Sequence, residues 1–271
     1  LRLILRIFEL IYQPAFPTKL HQNTAEIVRD FFLAYRNVDT VLLVNSCARG
    51  HAVAESDLDF AILVRPETTK TEIEKIGNEW LHFSQKKPDI LMYKQSNQFA
   101  HLHLDIIDGK YQPIDIEIGE PLDAFELEIG NQIAYSAPMG NAGDFFKELQ
   151  NTWLPYYAEE LRLKRLTRAI NACEYDLNHI PLFMKRGLYF QAFDILYKAF
   201  QEYLQAVFIA HKIYPIAYNK WIKFQFESLL NQPELYPILP PILSVSNLES
   251  DEINYKAFML RELLNNIKIV N

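Results

Sequence analysis

Cysteine is scarce in this 271-residue chain: Cys47 and Cys173 are the only two. They form neither a metal-type pair nor a disulfide framework, so a reducing cytosol fits and a cytoplasmic location is expected. Long apolar runs are missing as well. No stretch approaches the roughly 20 uncharged residues of a membrane span, which argues against a membrane protein. The opening LRLILRIFELIY is interrupted by Arg2, Arg6 and Glu9, and no small-residue cleavage site follows it. It reads as an amphipathic helix packed on a domain and not as a signal peptide. Positive charge is in short supply, with a formal net charge of −7. That argues against a long nucleic acid as partner, because phosphate contacts need clustered Lys and Arg. Internal repeats and low-complexity segments are absent too.

What is present is a globular composition, 49% hydrophobic and 13% aromatic, in a chain long enough for two domains. Residues 24–36 carry apolar side chains at helical spacing, with Thr24 as N-cap. Val41 to Val44 reads as a buried strand, 47–54 as a short helix, and Leu58 to Val64 as a second strand closed by Arg65-Pro66. Residues 68–84 read as a helix. Leu102 to Ile107 and Ile114 to Ile118 alternate apolar and polar around Asp108-Gly109, a hairpin pattern. Beyond about residue 120 strand signals cease. The segment 135–144 (YSAPMGNAGD) collects Gly, Pro, Asn and Ser, which places a boundary there. Helical periodicity then covers 145–180, 186–212, 216–230 and 249–268. The expected fold is α+β: an α/β domain over 1–138, with a mixed sheet and flanking helices, followed by an all-α bundle over 139–271.

The chemistry concentrates in Asn45-Ser46-Cys47-Ala48-Arg49-Gly50 and Ser56-Asp57-Leu58-Asp59-Phe60. Alternate side chains of a strand share a face. Leu58 and Phe60 can enter a core while Asp57 and Asp59 project together. Two adjacent carboxylates repel each other unless a cation lies between them, and Mg²⁺ prefers such oxygen ligands. Ser46 stands where a strand gives way to a helix, and free N–H groups there suit phosphate. Arg49 adds a positive charge one turn on. The rival reading is an exposed strand edge carrying chance acids.

This stretch resembles the pattern of polymerase-beta-type nucleotidyltransferases: a Gly-Ser pair, Ala-Arg-Gly, then Ser-Asp-x-Asp between hydrophobic residues. The resemblance implies metal binding and catalysis by Asp57 and Asp59, with Ser46 and Arg49 on the nucleotide. It implies a third carboxylate that binds metal and acts as base, with Asp115 the first choice, Glu117 the second and Asp105 the third. Asn45 stands where the family has Gly, which leaves a noncatalytic nucleotide- or partner-binding descendant as an alternative. Separately, His101, His103 and Asp105 share a strand face and form a minor zinc candidate.

The helical half resembles the second domain of kanamycin- and lincosamide-type nucleotidyltransferases through its aromatic-rich helix, Tyr214-Pro215 and Lys220-Trp221. His211 stands where relatives have Asn. The resemblance implies an NTP substrate, with ATP first, a Mg²⁺ cofactor and a small hydroxyl-bearing acceptor held between the domains. Lys220 would reach the triphosphate. A protein or tRNA acceptor is the alternative. The Arg, four to six residues, then His pattern of a fused HEPN-type ribonuclease is absent. Arg162, Arg165 and Arg168 recur at helical spacing, which reads first as a solvated stripe.

Overall fold

The computed structural model of the chain describes residues 12–114 and 123–267. The helix expected at the N-terminus lies, apart from Tyr12, outside the described residues, and so does the strand expected over 115–118. The chain forms two compact units that interleave in sequence. Unit 1 comprises 1–112 and 128–155; unit 2 comprises 113–127 and 156–271. This division differs from a single cut between 138 and 139, and the reason is visible at Asp39.

In unit 1 the order is α1 (Lys19–Leu33), β1 (Val38–Leu43), α2 (Asn45–Ala48), β2 (Leu58–Val64), α3 (Lys70–Ser84), α4 (Pro88–Gln95) and β3 (Leu102–Ile107). α5 (Phe125–Ile129) begins in unit 2 and ends in unit 1, and after a π-helical turn at Gly130–Ala134 come β4 (Ala137–Pro138) and α6 (Asp144–Trp153). The sheet order is β3-β2-β1-β4. β1 runs antiparallel to both β2 and β4, and β2 runs parallel to β3, so the sheet is mixed as expected. The alternation of β2 sends Leu58, Phe60, Ile62 and Val64 into a core with Ala25, Val28 and Phe32 of α1 and with Trp80 of α3. A helix stripe against a strand face buries most apolar area per residue.

α1 begins five residues earlier than the periodicity predicts. Its N-cap is Thr18, whose side chain accepts from the His21 N–H, while Thr24 is buried inside the helix. The capping box of α3 is complete, with Thr69 and Glu72 exchanging hydrogen bonds. Asp39, buried in β1, accepts from the N–H groups of Phe145 (3.2 Å) and Phe146 (3.0 Å) at the start of α6. Gly143 donates to Thr40 Oγ1 at 2.9 Å, and a Cβ on Gly143 would collide with the Asp39 carboxylate. An acid at a helix N-terminus satisfies orphan donors and meets the positive dipole end. That cap fastens 139–155 to the sheet. β3 pairs in parallel with β2; of the hairpin expected around Asp108-Gly109, the second strand lies, apart from Ile114, outside the described residues. Gly109 is still needed, at φ +71°, because a Cβ there would press on Leu149 and Phe145 of α6.

Unit 2 is helical, as expected. α7 (Glu159–Lys185) and α8 (Tyr189–His211) turn on Gly187 at φ +69°. The short helices α9 (Ile222–Phe224) and α10 (Leu239–Leu243) lead to α11 (Glu252–Asn265). Leu177, Ile180, Leu196, Phe200, Leu204, Phe208 and Leu260 build one core. The arginine stripe is not solvated: Arg162 and Arg165 are 0% and 5% exposed. Among the described residues, no helix is long and apolar enough to cross a membrane.

A second buried polar group lies where α7 meets α8. Lys198 Nζ is 3.0 Å from Asp176 and 3.8 Å from Glu202, and neither Glu202 oxygen has a hydrogen-bond partner among the described residues. Burial and the neighbouring Asp176 push the Glu202 carboxyl up to about 8 from 4.5. Between these values the folded chain keeps a proton that the unfolded chain releases, so stability declines as pH rises through that window. Glu202→Gln is expected to abolish this decline. Its melting temperature should exceed the wild-type value at pH 8.5 by several degrees and converge with it below about pH 4.5. Thermal melts across that range check the sign.

Candidate active site

The turn into β2 is held from several sides. Val53 N–H donates to Ser56 Oγ at 2.9 Å, and Ser56 N–H donates to Val53 O. The Ser56 carbonyl then accepts from His21 Nε2 (2.9 Å) and from the Tyr93 hydroxyl (3.1 Å). His21 and Tyr93 are buried on α1 and α4. Because Nε2 donates to a carbonyl, it carries the proton, and Nδ1 faces Thr18 Oγ1 at 2.7 Å. Leu58 N–H bonds to His101 O at 3.0 Å, and the Tyr93 hydroxyl is 3.4 Å from that same oxygen. The backbone on which Asp57 sits is thus fixed by two helices and by β3.

Asp57 and Asp59 are half-buried and share the strand face opposite the core residues Leu58 and Phe60. The parallel ladder sets His103 directly opposite Asp59. Carboxylate oxygens of Asp57 and Asp59 and a ring nitrogen of His103 all lie within 4.8 Å of one another. Among the described residues this is the one such group of three or more. The His101–His103–Asp105 triad does not form. Asp105, third choice for the remaining carboxylate, lies opposite Ala61 and is exposed. Asp115 and Glu117 lie outside the described residues.

Asn45 has φ +57°. This left-handed backbone is the one Gly adopts freely and Asn tolerates better than most residues. The turn therefore keeps its shape without Gly. Ser46 is half-buried on α2, and Gly50, at φ +71°, closes that turn. Arg49 is also half-buried. Its Nη1 donates to Asn131 Oδ1 at 2.9 Å, while its Nε has no hydrogen-bond partner among the described residues. Burial lowers its pKa to about 10, against the pull of Tyr12, Tyr135 and Asp59. A half-buried guanidinium suits an anion, and phosphate is a good geometric match. Lys220 belongs to unit 2, exposed in a loop whose carbonyl accepts from Gln225 at 2.9 Å. Its neighbour Trp221 is 41% exposed, not a core residue.

Residues 26–110 match the family described as Polymerase beta, Nucleotidyltransferase, and that span holds Ser46, Arg49, Asp57, Asp59 and His103. The first unit carries a polymerase-beta-like nucleotidyltransferase domain. Nucleotidyl transfer is therefore the general chemistry that the domain supports. By structure, the chain is similar to a nucleotidyltransferase-like protein from Exiguobacterium sibiricum 255-15. The TM-score is 0.45 at 12% identity, over 91% of this chain and 74% of that one. No curated protein matches the chain significantly.

Sequence reasoning missed three parts of this domain. His103 was visible only as one of three polar residues alternating on a strand. His21 and Tyr93 gave no signal, because their task is to hold a carbonyl from distant helices. Tyr93→Phe is expected to cost about 1 kcal/mol, the net worth of one buried hydrogen bond. Cation affinity should weaken a few-fold as Asp57 loses its fixed backbone. Urea unfolding and cation titration measure the two effects separately.

Proposed function

We propose that the chain transfers a nucleoside monophosphate from an NTP, ATP first, to a hydroxyl of a small molecule and releases pyrophosphate. The observation that carries this reading is the convergence of Asp57 and Asp59 on one face of β2 within the matched domain. The donors fit a divalent cation: hard carboxylate oxygens lie side by side and would otherwise repel. Asp57 and Asp59 would hold it, with Mg²⁺ the ion of the family pattern. Such an ion supplies neutralisation of the triphosphate charge and polarises the phosphoryl group under attack.

The chain's own residues do the rest. Arg49 offers its guanidinium charge to the phosphates, and Ser46 adds a hydroxyl. Both orient the nucleotide so that the acceptor oxygen attacks the α-phosphorus in line. The new bond is acceptor oxygen to phosphorus, and the bond that breaks joins the α- and β-phosphates. The acceptor proton passes to a carboxylate, for which Asp115 remains the assignment. A base must lie within about 3 Å of that hydroxyl, or one water away. Lys220 is assigned to the triphosphate and the helical half to the acceptor. The net charge of −7 favours a cationic small acceptor over a long polyanion.

The test is pyrophosphate release with Mg²⁺ or Mn²⁺, each NTP, and panels of small hydroxyl compounds, proteins and tRNA. Transfer to tRNA or protein alone would replace the acceptor while keeping the reaction. No nucleotide binding and no release with any NTP would leave a noncatalytic partner-binding module.

A further inference from the structure

We propose that His103 is a third, nitrogen ligand of the cation at Asp57 and Asp59, and that the site therefore prefers a first-row transition ion such as Mn²⁺ over Mg²⁺. The proposal rests on the carboxylate-pair reading above and adds both a ligand and the class of ion.

Three observations carry it. The first is register. β2 and β3 are parallel, with Asp59 and His103 as partners, so both side chains leave the same face of the sheet. The polar neighbour two residues on, Asp105, faces Ala61, which offers no donor. The second is distance. His103 Nε2 is 3.7 Å from Asp57 Oδ2. That is too long for a hydrogen bond. It lies between the separations of two donors placed cis (about 3.0 Å) and trans (about 4.2 Å) around one ion with bonds of about 2.1 Å. The third is access. The His103 side chain is 59% exposed and that of Asp57 is 40% exposed. An ion can enter with water still filling its remaining positions.

The choice of ion follows from donor chemistry. Mg²⁺ demands hard oxygen ligands in a near-ideal octahedron and gives up its water reluctantly. An imidazole nitrogen adds little for it. Mn²⁺ takes carboxylate and water equally well, and transition ions as a class accept imidazole. Two carboxylates and one imidazole therefore gain affinity for Mn²⁺ that they do not gain for Mg²⁺. An oxygen-only site lacks this nitrogen contribution.

The experiment uses the full chain and the metal ions alone, without nucleotide. Mn²⁺ binding is measured by continuous-wave EPR, and directly bound nitrogen by pulsed EPR, in wild type, His103→Gln, His101→Gln and Asp57→Asn. Wild type is expected to bind Mn²⁺ at least tenfold more tightly than Mg²⁺ and to show imidazole nitrogen coupled to the ion. His103→Gln should lose that coupling and about tenfold in Mn²⁺ affinity, with Mg²⁺ affinity unchanged. His101→Gln should behave as wild type. Mn²⁺ bound through Asp57 without nitrogen coupling, and unaltered by His103→Gln, would overturn the proposal and leave the carboxylate pair standing. Mn²⁺ binding that survives Asp57→Asn unchanged would overturn both.

Discussion

Asp59→Asn is expected to lower nucleotidyl transfer by roughly 10³-fold or more, equivalent to about 4 kcal/mol of transition-state stabilisation. The folded state should be undamaged. Asn matches Asp in shape, and Asp59 points away from the core that Leu58, Phe60 and Ile62 fill. The substitution removes one of two neighbouring negative charges, so the cation loses a ligand while the free protein loses a repulsion. Activity and stability should therefore move in opposite directions. Transfer collapses, and the melting temperature holds or rises by a degree or two. Asp57→Asn should behave similarly. Measuring kcat/KM beside a thermal melt decides the matter. A variant that loses activity only in proportion to lost folding would place Asp59 among structural residues. A variant with near wild-type kcat/KM would remove it from the site.

The carboxylate pair was legible because strand alternation and a local motif both act over a few residues. Leu58–Val64 and the helix at Lys70–Ser84 were legible for the same reason: an apolar run ending in Arg65-Pro66, and an apolar stripe at helical spacing. The pairing of β3 was not. Alternation in 102–107 identifies a strand but says nothing about its neighbour, and Asp108-Gly109 suggested a hairpin. The parallel partner β2 is reached only after a crossover through α3 and α4, and Pro88–Gln95 lacks the clear apolar stripe that would have announced α4. With the neighbour of β3 unassigned, His103 was grouped with its strand mates and not with Asp59. The same limit applies to charge. Asp39 sits in an apolar strand because its partners, Phe145 and Phe146, are more than 100 residues away. Local sequence cannot distinguish such a cap from an exposed acid. Among the arginines of α7, Arg165 was misjudged on the same ground, since its acids, Asp123 and Glu126, lie about 40 residues upstream.

Those arginines carry the largest stability prediction. Arg165 is 5% exposed and holds two buried carboxylates at once. It grips Asp123 with bonds of 2.6 and 2.9 Å, and Glu126 through Nε and, at 2.6 Å, Nη2. Glu126 also accepts from Tyr157 at 2.7 Å and from Gln205 at 3.2 Å, and Asp123 accepts from Ile114 N–H at 3.1 Å. The Phe125 ring lies 4.8 Å from the guanidinium carbon. Burial opposes the charge on Arg165, but the two carboxylates outweigh it and raise its pKa above the ordinary value. Arg165→Met keeps the volume and removes the charge. It leaves two acids in a dry environment with only neutral donors, a change that typically costs about 3–5 kcal/mol. Arg165→Lys should also be harmful, because one ammonium cannot reproduce a planar fork with separate bonds to both acids. Adding Glu126→Gln to Arg165→Met should restore part of the loss, since it removes one of the two stranded charges. The network also holds Ile114 and Asp123, the described residues that border 115–122. Ile114 gives its carbonyl to Arg168 at 3.1 Å and its N–H to Asp123, and Asp123 is held by Arg165. On the proposed role of Asp115, transfer activity in Arg165→Met should fall even at temperatures where the variant is still folded. Urea unfolding of the single and double variants, with activity followed in parallel, measures both effects. A loss below about 1 kcal/mol for Arg165→Met would mean that Tyr157, Gln205 and the backbone carry Asp123 and Glu126 without it.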